Sequence, residues 1–145
     1  MSQVQAQLMA FKQTATRWQP LYVPDRFASI EATAAGPTDI WVALDNFILM
    51  GFSISVCGTL AAAEELVIEI VDVEATITIA QFSCFLPATA TGGANAGPFG
   101  QDFGGGYGYQ SSAISTTLAV NLSAALTSGH VCVNAWGVWA ATPDP

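Results

Sequence analysis

The feature that most constrains this chain is a two-residue alternation of apolar and polar side chains, repeated in several separate stretches. Phe52, Ile54 and Val56 alternate with Ser53, Ser55 and Cys57. Leu118, Val120 and Leu122 recur the same way within Thr116–Leu122, and Val131, Val133 and Ala135 alternate with Cys132, Asn134 and Trp136. A period of two places one set of side chains on one face of a strand and the other set on the opposite face. Such segments, bounded by Gly, Pro, Asn and Asp, predict half-buried β-strands.

Between these stretches the chain reads as follows. Phe27–Thr33 is a weak strand, Gly36-Pro37 a turn and Ile40–Leu44 a strand, with Asp45-Asn46 placed to close a tight hairpin. Phe47–Ala63 is an uncharged run of 17 residues, at the lower limit of about 17–25 for a membrane helix. Its internal Gly, Ser and Thr and its alternation favour a buried strand pair instead, and no membrane span is expected. Ala61–Glu65 reads as a connecting turn. In Leu66–Phe85, Ile68 and Ile70 share one parity, whereas Val73, Ala75, Ile77 and Ile79 share the other. A parity change near Val71-Asp72 means a bulge or a new strand, and two strands are expected. Residues 92–108 hold eight Gly and one Pro, which predicts a loop. Thr127-Ser128-Gly129 reads as a turn into the last strand. The sum is seven or eight short strands, an all-β antiparallel sandwich of the jelly-roll kind.

The N-terminal segment differs from the rest of the chain. Residues 1–24 carry Lys12 and Arg17 and no acid, whereas residues 25–145 carry eleven acids and only Arg26. Val4, Leu8, Phe11, Ala15 and Trp18 fall at helical spacing, so residues 2–18 suit a short amphipathic helix or an extended arm, and Pro20 and Pro24 end any helix. Met1–Gln13 lacks an apolar core of its own and reads as no signal peptide. The division expected is an arm over 1–24 and a sandwich domain over 25–145. Leu8, Phe11, Lys12, Arg17 and Trp18 are the arm's candidate contacts with a neighbouring subunit. Phe99, Phe103, Tyr107 and Tyr109 are the candidate contacts of the glycine-rich loop.

Charge excludes some functions. Only 10% of residues are charged, against about 25% in ordinary domains, and the net charge is −8. So acidic a body repels phosphate backbones, and it is not expected to read nucleic acid. So little charge also suits a surface covered by copies of itself. There is no GxxxxGK[ST] loop and no GxSxG elbow, and no catalytic residue or cofactor is assigned. His130, the single histidine, and Cys132 lie two apart and share a strand face. A zinc site needs three or four ligands, and Cys57 or Cys84 complete one only if tertiary structure brings them there. The commoner reading is three small apolar thiols. Glu64, Glu65, Glu69, Asp72 and Glu74 put five carboxylates in eleven residues, the hard oxygen ligands that calcium takes. A solvated strand face is their plainer use. Trp136 and Trp139, on opposite faces of the last strand, suit packing more often than sugar binding.

A polar arm, a small sandwich, a long Gly/aromatic loop, scarce charge and no catalytic motif together resemble the small single-jelly-roll or β-sandwich virion proteins of icosahedral viruses, above all those of prokaryotes. The resemblance implies a capsid or capsid-decorating subunit located in the virion. It also implies that the chain is a homo-oligomer contacting other virion proteins, and not an enzyme. The shortage of basic residues departs from a shell surface that faces packaged genome. The alternative is a secreted or cell-surface sandwich that binds carbohydrate or calcium through its loops.

Overall fold

Alternation on this scale needs two apolar faces to bury against each other, and the chain supplies them as two antiparallel sheets. The computed structural model describes residues 10–14, 17–21, 24–88, 94–103 and 108–139. The first sheet has the order β3 (Arg26–Ala32), β11 (Ser128–Trp139), β5 (Phe47–Thr59) and β8 (Ala94–Asp102). The short β9 (Tyr109–Gln110) also pairs with β5. The second sheet has the order β4 (Gly36–Val42), β10 (Thr117–Leu122), β6 (Glu64–Asp72) and β7 (Ile77–Leu86).

The wiring is nested. Apart from β9, strand β3 pairs with β11, β4 with β10, β5 with β8 and β6 with β7. Each inner pair lies in the sheet opposite to the pair that encloses it. The core lies between the sheets. Phe52, Ile54, Val56, Val131 and Val133 of the first sheet meet Leu66, Ile68, Ile70, Leu118, Val120 and Leu122 of the second, all fully buried. Each such side chain contributes roughly 1.5–3 kcal/mol by leaving water. The alternation read along β6, β10 and β11 is therefore an alternation between core and outer face.

Several local expectations are corrected. Leu66–Phe85 does form two strands, but the chain turns at Val73–Thr76, where Thr76 takes a φ of 56°. Asp72 therefore continues the inward row of Leu66, Ile68 and Ile70. Gly36-Pro37 opens β4 rather than turning before it. Asp45-Asn46 closes no hairpin, because β4 and β5 belong to different sheets and each finds its partners far away in sequence. Phe47–Ala63 holds one strand of 13 residues instead of a pair, since β11 can follow β5 along its whole length. Ser128-Gly129 already pairs with β5. Nine residues of the glycine-rich segment form β8. In the arm, β1 (Ala10–Thr14) and β2 (Arg17–Leu21) make a two-stranded antiparallel ladder, not a helix. Pro20 is tolerated there because a two-stranded ribbon leaves outward N–H positions unused. No helix among the described residues is long and apolar enough to cross a membrane.

Candidate functional site

The second sheet ends in a rim where three connections meet. Here β4 runs out into residues 43–46, β6 turns into β7 through 73–76, and residues 111–116 lead into β10. Glu74 ties two of them together. Its carboxylate Oε1 accepts hydrogen bonds from the N–H of Thr116 at 2.7 Å, the hydroxyl of Thr116 at 2.8 Å and the N–H of Thr117 at 2.7 Å. Burial pushes the Glu74 carboxyl up, but the hydrogen bonds from Thr116 and Thr117 outweigh it and hold the group below its usual range. The third connection joins when the Ala43 N–H donates to the Thr116 carbonyl at 2.8 Å. Buried Ser111 holds the loop's inner side: its Oγ accepts from the Phe47 N–H at 2.7 Å and donates to the Ser115 carbonyl at 3.2 Å.

This fixed rim presents large apolar side chains to solvent beside the exposed Glu74, Thr76 and Ser112. Leu44 is 96% exposed and Ile114 72%, and Val42, Val73 and Ile77 are exposed beside them. Scattered exposed apolar residues are ordinary on a protein surface, whereas these five belong to the connections and strand ends at one end of the sheet. Alternation places Val73 and Ile77 in one strand row, and nothing in the sequence groups the five as a surface. Only Leu44 and Ile114, flanked by turn residues, carried a legible signal.

Behind the rim lies a buried acid. Asp72 is fully buried, and its carboxylate accepts a hydrogen bond from the Tyr109 hydroxyl at 2.7 Å and one from the Ala75 N–H at 3.3 Å. Burial raises the Tyr109 hydroxyl's pKa, and the hydrogen bond and charge of Asp72 raise it further. The contact joins β6 of one sheet to β9 of the other, so it fastens the sandwich at this end.

The remaining acids of the expected calcium group are dispersed. Glu69 lies on the outer face of β6, where it accepts from the Asn121 amide at 2.9 Å. Glu64 and Glu65 are exposed at the opposite end of the strand. Nine residues of extended chain separate Glu64 from Asp72 by roughly 27 Å. The five carboxylates are not brought together.

Phe99, Phe103 and Tyr109 of the glycine-rich segment pack partly against the core. Phe99 stacks on Phe82 with centroids 5.4 Å apart, Tyr109 lies 6.4 Å from Phe47, and Phe103 packs against the same core. These three rings are half-buried on their own domain, and Tyr107 lies outside the described residues. In the arm, Phe11 and Lys12 stand on β1, and Arg17 and Trp18 on β2, with Gln13 opposite Trp18. Leu8 lies outside the described residues. The arm strands form a two-stranded sheet of their own. Trp139 packs on the core with the Arg26 guanidinium 4.5 Å from its ring, and Trp136 borders a small outer cluster of Ile48, Met50 and Val138.

One mixed group of metal-binding side chains does converge among the described residues. Glu31, His130 and Cys132 place their ligand atoms within 4.8 Å of one another on the outer face of the first sheet. No protein-family model, characterised protein or solved structure matches the chain.

Proposed function

We propose that this chain is a structural subunit of a virion, a capsid or capsid-decorating protein that assembles with copies of itself and with other virion proteins. The observation that carries the reading is the nested strand order. Four antiparallel pairs, each folded across from the one enclosing it, match the double Greek key of a jelly roll, an architecture used by capsid subunits. That architecture also serves lectins and other binders, so fold alone does not assign the role. The surface supports the structural alternative. The interior is filled by side chains from both sheets. The rim exposes five large apolar side chains, Val42, Leu44, Val73, Ile77 and Ile114, which favour contact with another protein surface. With 10% charged residues, much of the outer surface is also inexpensive to desolvate against another subunit.

Assembly through the rim makes a direct test possible. Leu44→Asp combined with Ile114→Asp places two charges on side chains that are already exposed, so stability should change by no more than about 0.5 kcal/mol per site. Sedimentation velocity of the double variant should show loss or marked weakening of the oligomer formed by the parent chain. Assembly indistinguishable from the parent's would overturn the role given to the rim.

A further inference from the structure

We propose that the outer face of the first sheet binds a zinc ion through Glu31, His130 and Cys132. The inference stands apart from the virion reading, because it depends only on this group of side chains. Strand register explains how residues so far apart in sequence meet. His130 and Cys132 are two apart on β11 and so share a face. Glu31 of β3 lies directly opposite Cys132. The ligand atoms of all three lie within 4.8 Å of one another, close enough for small side-chain rotations to bring them around one ion. Glu31 is exposed, and His130 and Cys132 are half-buried, so an ion can enter from solvent.

The donor set selects the metal. One imidazole, one thiolate and one carboxylate suit borderline-soft, four-coordinate zinc and suit hard calcium or magnesium poorly. The fourth position falls to Cys57. It sits on β5 directly opposite His130, on the other flank of β11, and it is exposed. Cross-strand neighbours of this kind have Cβ atoms about 4.5–5.5 Å apart, so rotation about χ1 can carry the thiol toward the group. Zinc binding would take both thiols as thiolates, releasing their protons to solvent, and would staple β3, β11 and β5 together. Cys84 belongs to the other sheet, and burial pushes its thiol up. It therefore serves as an internal control.

The test uses the full chain, freed of metal by chelator and titrated with zinc chloride against a chromophoric competitor, and separately with cobalt chloride. The expected result is one zinc per chain. Cobalt should give the intense visible bands of a tetrahedral site and a thiolate charge-transfer band in the near ultraviolet. His130→Asn and Cys132→Ser should each weaken zinc by more than the roughly 10–100-fold that loss of a mere outer partner costs, whereas Cys84→Ser should bind as the parent does. Cys57→Ser should reduce the charge-transfer band by about half, and an undiminished band would remove Cys57 from the site. Unchanged affinity in the His130→Asn and Cys132→Ser variants, or binding lost in Cys84→Ser, would overturn the site. Circular dichroism of each metal-free variant separates loss of binding from loss of fold.

Discussion

Asp72 is the residue whose role differs most from its appearance in the sequence. It reads there as one member of an acidic run, yet it is the buried acceptor that joins β6 to β9 through Tyr109. The signal was present in the parity, since Asp72 follows Leu66, Ile68 and Ile70 at spacings of two. The apolar residues of the next turn concealed it. Removing the hydroxyl with Tyr109→Phe leaves a buried carboxylate short of a donor, a change that costs about 1–3 kcal/mol. Urea denaturation should show that loss. The pH dependence follows from the direction of the Tyr109 shift. A folded-state pKa raised above the ordinary 10 favours the neutral phenol, so its contribution is fully present below pH 10 and is lost as pH rises beyond it. Parent stability should therefore fall at alkaline pH more steeply than that of Tyr109→Phe, and parallel curves would contradict the assignment. Glu74 acts at the other end of the scale. Its folded pKa lies below the usual 4.5, so its contribution is present above that value and lost as pH falls through the lowered one. Glu74→Gln should flatten the acid limb of the stability curve, measured by thermal melts between pH 5 and pH 3 (roughly one to two units about the carboxylate range).

At the level of elements, the strands with clear alternation were legible, and the one made of glycine was not. β6, β10 and β11 turn one parity into the core and the other, largely half-buried, toward the outer face, and the sequence shows both sets. β8 carries Gly97 and Gly100, which composition alone assigns to a loop. The structure shows why small residues are needed in a paired strand. A Cβ at Gly100 would lie 2.3 Å from the Phe52 carbonyl oxygen, and Gly97 holds a φ of +97° where its own Cβ would approach the Ile54 carbonyl. Gly100→Ala should therefore destabilise by about 1–3 kcal/mol, the usual cost of overpacking, and should loosen β8 from β5. Native-state hydrogen exchange checks this through faster exchange at Ile54 and Phe52, and unchanged protection would contradict the close approach. The link from β4 to β5 was illegible for another reason. Asp45-Asn46 has good turn chemistry, but turn chemistry does not say whether the next strand stays in the sheet. That was decided by partners such as Ser111, 64 residues away from Phe47.

For the whole molecule, fold class was readable because the alternation recurs, whereas nested pairing depends on contacts that no local pattern encodes. The candidate surfaces divide in the same way. The arm's change of charge is plain in the sequence, while the rim and the zinc group exist only once distant strands are aligned. The proposed self-assembly has a second handle in the arm. Lys12 and Arg17 oppose a body carrying a net −10, so the arm can match a neighbour's acidic surface and set register. Its ladder is a separate two-stranded sheet, and a chain lacking residues 1–17 should keep its cooperative melt while losing the parent's assembly state. The most direct measurement is multi-angle light scattering of the intact chain and of this truncated chain across micromolar concentrations. Self-assembly through rim and arm requires a discrete oligomer for the intact chain and a folded monomer or a smaller species for the truncated one. An intact chain that stays monomeric at every concentration would contradict it.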